Sequence, residues 1–147
     1  MEYRHTQFGT VIVGIMGSAV VGVLMHFLVA GSVHPVEIIV AILLLVTMSL
    51  FPSLTVAING DALRCSFGAG FIRREIQIAD INEAQPVTNP WIVGWGIRWV
   101  PGQYWMWNVS GLQAVELVLK NGQRFRIGTD EPDVLVRAIQ LKRMTLH

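Results

Sequence analysis

The residue types able to do bond-making chemistry are few and far apart. Cys65 is the single cysteine. A thiolate nucleophile needs a base within reach. The four histidines stand elsewhere: His5 near the start, His26 in an apolar run, His34 just after it and His147 at the last position. No His-x-x-x-His or Cys-x-x-Cys spacing occurs, so no metal and no cofactor is expected. Asp130, Glu131 and Asp133 bring carboxylates together, but they open a helical segment, where the helix dipole favours negative charge without any further role. The expectation is a protein that is not an enzyme.

Interaction chemistry is concentrated in one aromatic stretch. All five tryptophans, Trp91, Trp95, Trp99, Trp105 and Trp107, fall within 17 positions, with Arg98 among them. By parity, Trp91, Val93, Trp95, Ile97 and Trp99 share one strand face, and Gly94, Gly96 and Arg98 the other. After a turn at Pro101-Gly102-Gln103 the alternation resumes with Trp105, Trp107 and Val109. This predicts a hairpin with an aromatic face. Three roles suit it: closing a core, forming a belt at a membrane interface, or lining a groove for a ligand or a partner's peptide. Trp95 and Trp99, flanked by Val93 and Ile97, are expected to be buried. Trp105 and Trp107, near the turn, are expected to be exposed.

Those side chains need a scaffold, and composition narrows it. Hydrophobic residues make up 52% of the 147-residue chain and charged residues only 14%, against about a quarter in ordinary soluble domains. A net charge of +1 leaves no basic footprint for nucleic acid. The charge deficit is local: between His5 and Asn59 the only formal charge is Glu37. Residues 8–30 contain no Asp, Glu, Lys or Arg and as a helix would span about 35 Å, enough to cross a bilayer core of about 30 Å. Gly31 and Pro35 interrupt the run, and residues 36–52 are apolar again, ending at Pro52. The expectation is a transmembrane helix hairpin over residues 1–52, with helices at about 8–30 and 36–52 and Glu37 at headgroup level. The loop between them has no Lys or Arg, whereas Arg4 flanks the first helix, so both termini are expected in the cytoplasm. Along the first helix Thr10, Gly14, Ser18, Gly22 and His26 recur every four residues. Small residues in such a row let another helix approach closely in lipid, either the second helix of the chain or that of a second subunit. His26 there needs a hydrogen-bond partner.

After Pro52 the pattern becomes alternating. Leu54, Val56 and Ile58, then Leu63, Cys65 and Phe67, flank the turn signal Asn59-Gly60-Asp61. Gly68-Ala69-Gly70 turns again into a strand with Ile72, Ile76 and Ile78 on one parity, where Arg74 is an unexplained exception. Val115, Leu117 and Leu119 lead through Asn121-Gly122 to Phe125 and Ile127. A final helix carries the apolar stripe Val134, Leu135, Ala138 and Leu141. Residues 53–147 thus read as one domain of about seven strands, a β-barrel or sandwich closed by a C-terminal helix.

This arrangement resembles the pleckstrin-homology-like (PH-like) domains of small bacterial membrane proteins, in which a transmembrane hairpin precedes the domain. The stretches that carry the resemblance are "FGAGFIRREIQIADI" and "NGQRFRIGTDEPDVL", and it covers Leu54 to about Met144. It implies a fold rather than an activity, in the bacterial cytoplasmic membrane. The phosphoinositide site of eukaryotic relatives does not carry over, because the first hairpin offers only Arg64 beside Asp61. The functional expectation is a non-enzymatic, membrane-anchored interaction module. Its partners would be the lipid bilayer and other membrane subunits or a second copy, as in an accessory subunit of a larger complex. The alternative is a lipid or small-ligand sensor that uses the tryptophan hairpin and Arg98.

Overall fold

A computed structural model describes residues 3–146. The order is β1 (Tyr3–Phe8), α1 (Thr10–Ala30), α2 (Pro35–Leu50), β2 (Ser53–Asn59), β3 (Ala62–Phe67), β4 (Ile72–Gln77), β5 (Ile81–Thr88), β6 (Gly96–Val100), β7 (Tyr104–Asn108), β8 (Gln113–Leu119), β9 (Arg124–Gly128) and α3 (Pro132–Thr145). Two short 3-10 turns, Ile78–Asp80 and Trp91–Val93, sit between strands. α1 is the one described helix long and apolar enough to cross a membrane; α2 is apolar and shorter.

The strands form two sheets, ordered β1-β2-β3-β4 and β5-β8-β9-β7-β6. All pairs are antiparallel except β7 with β9. Alternating apolar residues of both sheets meet in one core: Leu54, Val56, Leu63 and Phe67 from the first, Val115, Leu117, Phe125 and Ile127 from the second. α3 lies against β5, β8 and the Ile78–Asp80 turn. It buries Leu135, Val136 and Ile139, so the expected stripe is rotated, and Val134 and Leu141 are exposed. Of the expected four, Leu135 is buried and Ala138 is part-buried against the core.

There are nine strands among the described residues rather than seven. The two extra ones lie at sheet edges, where only one side is hydrogen-bonded and the inward pattern is thin. β1 pairs with β2 from Tyr3↔Ile58 to Phe8↔Ser53. The β domain therefore draws a strand from before α1, and its boundary does not fall at residue 53. β5 carries Pro86, which an edge strand tolerates.

This pairing fixes how the helices leave the sheet. The backbone N–H of Gly9 donates to the Pro52 carbonyl at 2.8 Å, tying the start of α1 to the end of α2. The end of the β domain next to that tie is called helix-proximal below. α1 and α2 touch each other and have no fully buried side chain; Ile12, in the first turn of α1, is part-buried against the β core. Far from the sheets, His26 Nδ1 meets Glu37 Oε1 at 2.8 Å, and Glu37 Oε2 accepts from the His34 N–H at 3.2 Å. The partner that His26 requires is thus on α2.

Of the two partners expected for the small-residue row, α2 is not the one its glycines pack against. Thr10, Gly14, Ser18, Gly22 and His26 are all exposed, and a Cβ added at Gly14 or Gly22 would meet nothing within 4 Å. Half-covered side chains lie instead at Met16, Val20 and Val23 on α1 and at Ala41, Leu44 and Met48 on α2. The physical reason is helical geometry: steps of four residues drift by about 40° each. Thr10 accordingly faces Ser110 of the β domain (hydroxyls 3.2 Å apart), the glycines face outward, and His26 comes round to α2.

Candidate functional site

The tryptophan stretch is not one continuous strand. Gly94 and Gly96 adopt φ of 71° and 95°, a region closed to other residues at little cost. They separate the Trp91–Val93 turn from β6, so the parity rule does not run from Trp91 to Trp99. Residues 89–95 instead form a strap that joins β5 to β6, the two edges of the five-stranded sheet. The Asn89 N–H donates to the Leu112 carbonyl at 2.7 Å and the Trp95 indole N–H to the Gly111 carbonyl at 3.1 Å, pinning both ends.

Each tryptophan has a different setting. Trp107 is buried, 5.0 Å from the Phe67 ring and 5.8 Å from Phe125. Trp95, at the end of the strap, is half-buried. Trp91, at the tip of the strap, is exposed. Trp99 and Trp105 are cross-strand neighbours with ring centres 6.2 Å apart, and they are 59% and 45% exposed. Burial is thus opposite to expectation for Trp99 and Trp107. Trp107 pairs with Ile127 in the middle of the sheet, over the core. Trp99 and Trp105 sit one step further along, beside the Pro101–Gln103 turn. With Ile97, they form an aromatic patch at β6, an edge strand whose outer side has no strand neighbour among the described residues.

Arg98 is committed locally. Its Nε donates to the Trp95 carbonyl at 3.1 Å, which holds the strap against β6. Arg74, the exception on an apolar parity, stacks its guanidinium 4.4 Å from the Phe125 ring centre, a cation–π contact at the core's margin.

A polar cluster that the sequence did not announce lies under the strap. The Glu116 carboxylate is buried and receives Arg126 Nε at 2.7 Å and Gln85 Nε2 at 3.3 Å, with Arg124 at 3.6 Å. Arg126 also donates to Asn89 Oδ1 at 2.9 Å and lies 3.7 Å above the Tyr104 ring. A buried carboxylate persists only with such partners. Its arrangement suits holding the strap, since the carboxylate is fully engaged by these partners; the buried Asn89 Nδ2 has no hydrogen-bond partner among the described residues. The alternation of Glu116 with Val115 and Leu117 was the available signal.

A second polar group ties β1 to α3. His5 Nε2 meets Asp130 Oδ1 at 2.6 Å, His5 Nδ1 meets Glu131 Oε1 at 3.2 Å, and the Tyr3 hydroxyl donates to Glu131 Oε1 at 2.8 Å. Burial, with Glu131 adding to it, pushes the Tyr3 phenol well above its ordinary value. Cys65 is fully buried, and desolvation pushes its thiol up to about 12 against the opposing charge of Arg74, so it is held as a neutral thiol. Asn108 of the Asn-Val-Ser tripeptide is buried too; its amide donates to the Gly111 carbonyl at 3.0 Å and its Oδ1 accepts from the Ser110 N–H.

Comparison with protein-family models and with curated proteins finds no match for this chain.

Proposed function

We propose that the chain is a membrane-anchored interaction module: a PH-like β domain carried on a transmembrane pair, α1 and α2, in the bacterial cytoplasmic membrane. It presents the Ile97–Trp99–Trp105 patch to another membrane subunit or to a second copy. The observation that carries the reading is the β1–β2 pairing across the helices. The chain leaves and re-enters the sheet on adjacent strands, and between them stand two apolar helices that touch the β core only through Ile12 in the first turn of α1 and have no fully buried side chain. Bilayer lipid is the solvent such surfaces require. The aromatic pair on a strand edge supports a protein partner, because exposed Trp in a cluster is the side chain that most often anchors an interface. A sensor built on Arg98 draws less support, since its Nε is already spent on the Trp95 carbonyl.

The experiment is purification of the full chain in mild detergent beside a Trp99→Ala/Trp105→Ala variant. The expectation is an associated subunit or a dimer with the native chain, lost in the variant. A native chain that elutes as a monomer alone overturns the interaction reading. Release of the chain from membranes by alkaline carbonate overturns the anchor.

A further inference from the structure

Four connections reach the helix-proximal end of the β domain: the one after β9, residues 129–131, bends back along β1, where Asp130 and Glu131 meet His5, and three loops remain there. Residues 68–71 connect β3 to β4, and the Gly68 N–H donates to the Ser53 carbonyl at 2.9 Å, beside the end of α2. Residues 109–112 connect β7 to β8; Ser110 meets Thr10 of α1, and the Gln7 amide donates to the Ser110 carbonyl at 3.1 Å. The strap, 89–95, is pinned to this second loop through Asn89 and Trp95. Together these 15 residues, GAGF, VSGL and NPWIVGW, contain no charged side chain. The turns at the opposite end carry Asp61, Asp80 and Lys120.

The same three loops bear large apolar side chains that the chain itself leaves uncovered. Phe71 is 82% exposed, Ile92 77% and Trp91 75%; Phe8, the last residue before the Gly9 tie, is 70% exposed. Outside α1 and α2 these are the four most exposed large hydrophobic residues described. Leu112 adds to them, and Arg73, exposed on β4, follows Phe71 by two positions. Four apolar side chains from three separate segments share one end, and it is the end from which the helices depart.

We infer that this end is a bilayer-seating surface, in which Phe8, Phe71, Trp91, Ile92 and Leu112 enter the headgroup and upper acyl region of a phospholipid membrane, with Arg73 at phosphate level. The inference rests on the transmembrane reading of α1 and α2, which brings this end to the bilayer and no other. Uncharged loops remove the desolvation cost that would bar insertion. Trp prefers the interface, where its ring is apolar and its N–H stays wet. A cation beside the apolar tips favours anionic headgroups. Trp99 and Trp105, beside the turn that leads away from this end, remain in water or on a partner.

The test uses the full chain reconstituted in vesicles of phosphatidylcholine brominated near the top of the acyl chains, mixed with phosphatidylglycerol to supply anionic headgroups. Tryptophan fluorescence is compared for the native chain, Trp91→Phe and Trp99→Phe. The expectation is that the native chain is quenched, that Trp91→Phe loses most of the quenched component, and that Trp99→Phe raises the quenched fraction. Phe71→Trp should add quenched intensity. If Trp91→Phe leaves the quenched fraction unchanged, or if quenching is lost in Trp99→Phe instead, the seating surface is overturned. Retention in carbonate-washed vesicles separates this failure from failure of the anchor itself.

Discussion

The backbone amide of Gly9 and the carbonyl of Pro52, 2.8 Å apart, close the base on which the helix pair stands. A Cβ at Gly9 would lie 3.2 Å from the Val109 Cβ and 3.3 Å from the Phe51 carbonyl oxygen. Gly9→Val should therefore force the base open and destabilise the β domain by about 1–3 kcal/mol, the usual cost of overpacking. Gly14→Val, where nothing lies within 4 Å, should leave the thermal midpoint of the detergent-solubilised monomer unchanged. Differential scanning fluorimetry of both variants checks the contrast.

Trp107 stands in a run of rings. Phe51, at the end of α2, meets Phe67 at 5.0 Å, Phe67 meets Trp107, and Trp107 meets Phe125. Trp107→Ala should cost about 3–5 kcal/mol, as large aromatic truncations in cores do. Trp105→Ala removes a half-exposed ring and should leave the fold intact. Thermal unfolding of the full chain decides; a fragment starting at residue 53 would lack β1 and mislead.

The Glu116 cluster makes a signed prediction. Arg126→Ala leaves a buried carboxylate with only Gln85 and the more distant Arg124, a loss of about 3–5 kcal/mol by analogy with other broken buried pairs. Glu116→Gln keeps the shape and removes the buried charge, so it should cost less. Urea unfolding of the two variants, followed by near-ultraviolet circular dichroism, orders them.

Alkaline pH should weaken the fold through Cys65. The folded thiol is raised from about 9 to about 12, so the folded state binds a proton that the unfolded chain has lost in this window. Stability from this group is complete below pH 9 and is lost as pH rises toward 12. Tyr3, raised in the same direction, adds to the loss. Cys65→Ala should flatten the decline in thermal midpoint between pH 9 and 11, and an unchanged slope would assign it elsewhere.

The hairpins were legible because their turns carry the residues that turns demand. Gly60 and Gly122 sit at positive φ between strands whose apolar alternation points to one core. The helices α1 and α2 were legible from continuous apolar runs. β1 was not, because Tyr3, His5 and Gln7 face polar partners and α3 rather than an apolar layer. β5 turns only Ile81 and Ala84 inward. In the tryptophan stretch a signal was present and outweighed: Gly94 and Gly96, two apart, mark a broken strand, and counting parity through them put Trp91 on one face with Trp99 and marked Trp99 for burial, while nearness to the Pro101–Gln103 turn marked Trp107 for exposure. Val134 and Leu141 turn outward because α3 seats Leu135, Val136 and Ile139 against β5 and β8, and β5 was itself not legible.

Phe8 and Ser53 are pairing partners although 45 positions separate them. β1 is synthesised first and has no neighbour until β2 exists. Were the chain to cross a bilayer once, the two strands would emerge on opposite sides and the first sheet would lack its edge. Two crossings return them to one side. On the proposed transmembrane reading, completion of this sheet is a parity check on insertion: an even number of passes allows the Tyr3–Glu131 and His5–Asp130 ties, and an odd number leaves the start of α3 without them.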